Sequence, residues 1–388
     1  MGGTFRIDEA AEAYALLAAD TSPRPLAILL EYPSADRAKA HTVVQRSVLG
    51  TPRGDRVRLG LIGAGQFARD TLIPLLREAR DVEVVAVAAA TGPSAESAAA
   101  LVDARYTTTD FRQLLADDSI HAVVIATRHD LHAKMAADAL AAGKCVFVEK
   151  PLAISSDQLQ AVANAHAQSA GWLTVGFNRR FSAHAAWLRG HFAQVSVPVT
   201  IVCRVNAGSL PADAWQLDAQ EGGGRLIGEA CHFVDLAQFL CGSAPTEAFA
   251  WATPNPPDPS FALAIKFADG SVATIMYATG GDRAFGKERV EILGGGAAAA
   301  IDDFRVAGLT VGGRTQRRSS SQDKGHRAEL QAFVAALRTG GPAPVPFAES
   351  WAATAATLAA AESLRTGLPV RVGRLSEGPL PADAEPLG

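Results

Sequence analysis

The stretch "VRLGLIGAGQFARDTLIPLLREAR", residues 57–80, decides the fold. Its opening "VRLGLIG" is a near-continuous apolar run, the pattern of a strand buried on both faces. From Gln66 to Arg80 the apolar residues fall at helical spacing. Between the two, Gly63, Gly65 and Ala68 stand in G-x-G-x-x-A order. A missing side chain at Gly65 lets a pyrophosphate approach bare backbone, and the helix N-terminus adds amides and a favourable dipole. We therefore expect Gly63, Ala64, Gly65, Gln66 and Phe67 to cradle a dinucleotide. The motif by itself is weak, and its weight comes from the strand–turn–helix setting. The plain alternative is a tight turn whose glycines serve packing alone.

The alternation continues on the C-terminal side. "VEVVAVAA", "HAVVIAT", "CVFVEK" and "LTVGFN" read as buried strands, with amphipathic helices such as "HAKMAADALAAG" and "SSDQLQAVANAHAQSA" between them. This predicts an α/β fold over 56–176, a Rossmann-type doubly wound parallel sheet. From 177 the pattern changes. The helical stretch "GGGRLIGEACHFVDLAQFL" precedes alternating strands, "TEAFAWAT", "SFALAIKF", "SVATIMYA" and "ERVEILG". The Asp-Gly of "KFADGSVATI" signals a hairpin. Residues 177–372 therefore read as an α+β domain with a large open, mostly antiparallel sheet. Residues 1–50 read as an N-terminal extension with one helix and a short strand. The polar "SADRAKAHTVVQRSVLGTPRGDR" reads as a linker, and 373–388 as a frayed tail.

Composition narrows the function. The 388 residues suffice for about two domains. A net charge of −4 offers no basic field for nucleic acid. No apolar run is long enough to span a membrane, and "MGGTFRIDEA" has neither part of a signal peptide. The four cysteines, at 145, 203, 231 and 241, form no CxxC pair, as expected of a chain kept in a reducing cytoplasm.

In an open parallel sheet the ligand crevice lies at the carboxyl ends of the strands. "VVIATRHDLHA" puts Ala126, Thr127, Arg128 and His132 there, "FVEKP" puts Glu149 and Lys150 there, and "GFNRRFS" brings Asn178 and Arg179. All are candidate cofactor contacts, except Arg179, a candidate for substrate. Arg128, Arg179 and Arg180 make the crevice positive and favour an acidic or phosphorylated sugar, unless they are simply solvated. Pro151 permits a cis peptide. The second strand runs into "AVAAATGPSAES", with neither an acid for a ribose 2′-hydroxyl nor a base for a 2′-phosphate. Thr91 and Ser94 can bond to either group. The cofactor is NAD or NADP, the choice being open.

The order G-x-G-x-x-A, A-T-x-x-x-x-H, E-K-P and then a glycine-led helix ending at His232 resembles the glucose–fructose oxidoreductase, inositol dehydrogenase and rhizopine-catabolism (Gfo/Idh/MocA) family over residues 56–372. The resemblance implies hydride transfer between a nicotinamide and a secondary hydroxyl or ketone of a sugar, cyclitol or sugar conjugate. It implies Lys150 as catalytic acid/base and His232 as the contact to the reacting hydroxyl. Removing that proton needs a base within hydrogen-bond reach. An amine in a partly dry pocket beside a cationic nicotinamide is expected to titrate nearer neutrality. The family's helix carries an Asp four residues before its histidine. Gly228 stands there, and Glu229 is the candidate substitute. Glu229 and Cys231 project from different helical faces, so no metal is expected.

"TRHDLHA", "GFNRRFS" and "GGGRLIGEACHFVDL" resemble a subgroup fused to a zinc-type alcohol-dehydrogenase-like domain. Residues 4–33 look like the last helix and strand of such a domain, without its zinc ligands or glycine loop. An unrelated extension is the alternative. The strands at 246–278 leave a sheet face that needs covering, which predicts a homo-oligomer, a dimer or tetramer. Two rival readings remain, a non-catalytic dinucleotide-binding regulator and a subunit working with a separate zinc-dehydrogenase-like partner.

Overall fold

The computed structural model describes residues 3–18, 27–31, 43–45, 56–254 and 257–375. Most of the expected linker and the tail from 376 lie outside the described residues. The chain divides into two compact units, Met1–Thr42 and Val43–Gly388. In the first, β1 (Thr4–Arg6) and β2 (Leu29–Glu31) pair in parallel, with α1 (Ala10–Ala18) between them in sequence.

The second unit begins with a seven-stranded sheet. Its strands are β3 (Val43–Gln45), β4 (Val57–Ile62), β5 (Val82–Ala88), β6 (Tyr106–Thr108), β7 (Ala122–Ile125), β8 (Cys145–Val148) and β9 (Leu173–Val175). Their spatial order is β3-β6-β5-β4-β7-β8-β9. All the pairs are parallel except β3 with β6. The order reverses at β4, which lies between β5 and β7, and a doubly wound sheet binds its ligand at that switch point. β3 corrects the reading of 34–56 as linker throughout. Three residues show no period, and the pairing of Val43–Gln45 with Tyr106–Thr108 is a contact of long sequence separation.

After β4 the chain makes a wide π-turn, Ala68–Leu72, before α2 (Ile73–Glu78). Pro74 has no N–H to return to the carbonyl four residues back, and the helix widens just before it. The other connections are α3 (Gly92–Val102), α4 (Phe111–Leu115), α5 (His129–Ala141) and α6 (Ser156–Gln168). Thr91, Asp110 and Ser155 cap three of them through side-chain oxygens.

Beyond α7 (Ala183–Phe192) the chain builds β10 (Thr200–Asn206) and then a second π-turn, Leu226–Ala230, leading into α8 (Cys231–Cys241). There follow β11 (Pro245–Ala252), β12 (Phe261–Phe267), β13 (Val272–Ala278), β14 (Glu288–Gly294), β15 (Ala297–Asp302), β16 (Val306–Val311) and β17 (Arg314–Ser319). Helices α9 (His326–Thr339) and α10 (Phe347–Thr366) and the short β18 (Val370–Arg371) complete the unit. The nine-stranded sheet has the order β17-β16-β15-β14-β10-β13-β12-β11-β18 and is antiparallel except for β10 with β13. Asp269-Gly270 turns the β12–β13 hairpin, with Gly270 at φ 88°. Leu263, Ile265 and Ile275 share a core with Leu236 of α8 and Ala356 of α10. α9 returns to the first sheet, where Phe333 meets Phe147 edge-on at 5.4 Å. Among the described residues no helix is long and apolar enough to cross a membrane.

Candidate active site

The carboxyl ends of β4, β5 and β7 open on a cleft of about 860 Å³. Gly63 has φ +103°, and a Cβ there would stand 2.2 Å from the Ala126 carbonyl oxygen. Only glycine lets the ends of β4 and β7 come this close. At Gly65 a Cβ would meet nothing within 4 Å, so the bare backbone faces open space. Ala64, Gln66 and Phe67 continue this wall, and Thr91, Ala126, Thr127 and Arg128 line the others. An elongated anion fits such a cradle at a helix start.

A second group gathers at the end of β8. The Lys150–Pro151 peptide is cis. Lys150 Nζ donates to Glu229 Oε1 at 2.9 Å and to the Gly228 carbonyl at 3.1 Å. Both acceptors lie in the π-turn before α8, where widened helices often mark functional sites. Burial pulls the Lys150 pKa down, but Glu229, with smaller help from Cys231 and Glu149, offsets it and raises the amine above its ordinary value. Burial raises the Glu229 pKa, yet Lys150 and Arg179 bring it below the usual range, so the pair is ionised. His232 lies three residues after Glu229 and is 6% exposed. Burial, then Arg179 and Lys150, hold its imidazole neutral. Its Nδ1 is buried with no protein partner, which is costly unless a ligand supplies one.

Other expected contacts sit behind these. His132 is fully enclosed, its Nδ1 2.8 Å from the Pro151 carbonyl oxygen and its Nε2 3.2 Å from that of Thr127. It ties the two strand-end loops together and does not face the cleft. Asn178 is 2% exposed and donates to the Lys324 carbonyl at 2.9 Å. The Glu149 carboxyl is buried beside Gly176, where a Cβ would lie 2.9 Å from Oε1. Burial pushes its pKa up to about 7.

Each of the three arginines expected at the crevice faces a carboxylate. Arg179 is bidentate to Glu288 at 2.9 and 3.0 Å, and Lys324 adds a third contact to that carboxylate at 2.5 Å. Arg180 faces Asp235 and Glu349, and Arg128 faces Glu221. Arg179 thus spends Nε and Nη2 on Glu288. Among the described residues no cluster could hold a metal ion.

Two family models match the chain. One describes an oxidoreductase family with an NAD-binding Rossmann fold and matches residues 57–177. The other is the GFO/IDH/MocA C-terminal domain, matching 194–299. Together they cover more than half of the chain. The chain belongs to the Gfo/Idh/MocA family. It is, on that membership, an NAD(P)-linked oxidoreductase.

An inositol 2-dehydrogenase of Rhizobium meliloti (strain 1021) is 29% identical over 313 residues, 73% of this chain and 89% of that enzyme. A 1,5-anhydro-D-fructose reductase of Ensifer adhaerens is 32% identical over 200 residues, 50% of this chain and 59% of that protein. Among solved structures, levoglucosan dehydrogenase in complex with NADH and L-sorbose has the same fold, with a TM-score of 0.73 at 22% identity. That likeness covers 83% of this chain and 100% of the other.

Against the Gfo/Idh/MocA pattern, two residues that the motifs did not announce matter. The first is His129. A Cβ at Gly228 would lie 2.7 Å from His129 Cε1, so the imidazole fills the space where the family's Asp would begin. Its Nδ1 lies 2.8 Å from the Gly222 carbonyl oxygen, and its ring meets Trp215 edge-on at 4.8 Å. Glu229, the next residue, is the carboxylate that Lys150 meets. The second is Arg69, which crosses from the turn after the glycines to Ser94 and Ser97. The β5 loop holds no base of its own, and the signal for Arg69 lay in another element.

Proposed function

We propose that the chain transfers a hydride between NAD or NADP and a secondary hydroxyl or ketone of a neutral sugar, cyclitol or sugar conjugate. The observation that carries this reading is the Lys150–Glu229 pair beside a neutral His232 with an unpartnered Nδ1. Bound nicotinamide supplies the hydride acceptor or donor. In oxidation, a deprotonated Lys150 takes the hydroxyl proton as the carbon–hydrogen bond breaks, and in reduction the protonated amine returns it. Glu229 holds the amine in reach of the reacting oxygen. His232 orients the hydroxyl through Nδ1.

Inositol and 1,5-anhydro-D-fructose, for which two relatives are named, support a polyol substrate. The engaged arginines support a neutral one. The rival regulatory reading draws on the missing helix Asp and the stump-like N-terminus; against the first stands the carboxylate that Glu229 offers Lys150.

The open face of the nine-stranded sheet supports a homo-oligomer, and four free cysteines support a cytoplasmic setting. The sequence of residues 4–33 and the parallel β1–β2 pair support a kinship with zinc-type dehydrogenase domains.

A panel of sugars, cyclitols and nucleotide sugars, each with NAD and with NADP, tests the activity through absorbance at the reduced-nicotinamide band. A neutral polyol that produces reduced cofactor is the expected outcome. Turnover confined to phosphorylated or acidic sugars would overturn the substrate reading, and no turnover across the panel would favour the regulator.

A further inference from the structure

We propose that His129 is a positioning residue for the reaction: its imidazole, wedged between Gly222 and Gly228, holds the Gly228 carbonyl where that oxygen fixes the Lys150 amine. The inference rests on the hydride-transfer reading above and says how its proton-exchanging group is kept in place. An ammonium has three N–H donors. At Lys150 one goes to Glu229 at 2.9 Å and a second to the Gly228 carbonyl at 3.1 Å. The third, or the lone pair left when its proton is lost, is what meets the reacting oxygen. Its aim therefore depends on where the two acceptors stand. Glu229 reaches the amine with a flexible side chain. Gly228 reaches it with backbone, so its oxygen follows the π-turn Leu226–Ala230.

That turn has no side chain of its own at 228, and His129 supplies the packing from the end of β7. A Cβ at Gly228 would stand 2.7 Å from His129 Cε1 and 3.1 Å from Nδ1, so the ring edge lies directly against the glycine. The ring is itself held from other sides. Nδ1 lies 2.8 Å from the Gly222 carbonyl oxygen, and because a carbonyl only accepts, Nδ1 donates. Trp215 meets the ring edge-on at 4.8 Å. The Asp130 N–H donates to the Glu221 carbonyl at 3.1 Å, and Arg128 pairs with the Glu221 carboxylate. Trp215 and Gly222 belong to one tight turn, in which a Cβ at Gly222 would stand 2.5 Å from the Trp215 carbonyl oxygen. His129 is buried, and burial, then Lys150, push its pKa down to about 4. A neutral ring thus presses on Gly228 without repelling the ammonium beside it.

The test compares His129→Asn, Gly228→Ala and the double variant with the parent, all as full chains. His129→Asn removes Cε1 and keeps an amide donor for Gly222. Gly228→Ala drives a methyl into the ring. The first readout needs no substrate: the rate at which acetic anhydride labels Lys150 at fixed pH, followed by mass spectrometry. An amine that loses an acceptor of its charged form carries more free base, so each single variant should label about tenfold faster. In the double variant the methyl takes room that the ring has left, and the rate should return toward the parent's. The second readout is kcat on a substrate from the panel, with dinucleotide affinity measured by calorimetry on the same preparations. A fall in kcat of about tenfold in each single variant, recovered in the double and with affinity unchanged throughout, is expected of a misplaced amine. Should Gly228→Ala fail to fold, His129→Asn decides alone through the labelling rate. Parental labelling and kcat in folded His129→Asn, or losses in the single variants that simply add in the double, would overturn the inference. A parent chain without turnover across the panel would overturn the hydride-transfer reading instead, and the labelling rates would still decide the role of His129.

Discussion

Lys150 owes its state to burial opposed by its acidic neighbours, Glu229 foremost. Burial alone would lower its pKa, and the ionised Glu229 at 2.9 Å reverses the direction. Oxidation requires the free amine, so kcat/KM for alcohol oxidation should rise with pH until the raised pKa is passed. Glu229→Gln removes the largest upward cause, and the rising limb should move to lower pH. A pH profile of that variant superposing on the parent's would show that Glu229 does not tune the amine. At this scale the sequence was partly legible. The E-K-P order and the helix histidine pointed to Lys150 and His232, and Glu229 was read as a substitute for the absent Asp. His129 and Arg69 were not legible, because each acts across space on an element whose own residues do not name it. The partners of the arginines were hidden for the same reason. Their carboxylate partners, Glu288, Asp235, Glu349 and Glu221, come from distant segments.

The elements that alternate strongly were read as they stand. β4, β7 and β8 are buried along nearly their whole length, and continuous apolar runs announce that kind of strand. Elements without such a signal were not foreseen. β15, "AAAAID", has the composition of a helix former, and only its pairing with β14 and β16 makes it a strand. β17, "RTQRRS", is exposed along its entire length and carries no apolar period. The turn from β4 into its helix gives the prediction proper to this scale. Gly65 has open space where a side chain would go, so Gly65→Val should leave the fold intact and fill the pyrophosphate's position. Dinucleotide affinity should fall below detection in a variant whose circular dichroism and melting match the parent's. Unaltered titration curves would remove the dinucleotide from this turn.

For the whole molecule, the two faces of the nine-stranded sheet differ. One face carries Leu263, Ile265 and Ile275 into the core beneath α8 and α10. The other presents Trp251 at 57% exposure and Met276 at 54%, with Val272 and Leu293 also exposed. Phe249 packs edge-on against Trp251 at 4.2 Å on the same side. Scattered apolar residues need no explanation, but a run of them across neighbouring strands favours a partner. A second copy in a closed, symmetric assembly is the simplest cover. Light scattering at micromolar concentration should give a multiple of 40.4 kDa, and a one-chain mass would count against this. One helix from beyond the boundary read at 176/177 packs on the first sheet. α9 is read from the second half, yet Leu330, Phe333 and Val334 sit in the core of the first sheet.

The central claim is that Lys150 exchanges the proton of the reaction. Its most direct measurement is turnover by Lys150→Ala, using a substrate found in the panel and with dinucleotide binding measured on the same preparation. The account predicts retained binding and a loss in kcat of about 10²–10⁴-fold, the usual contribution of a general acid/base. A Lys150→Ala protein that binds dinucleotide and turns the substrate over as fast as the parent would contradict it.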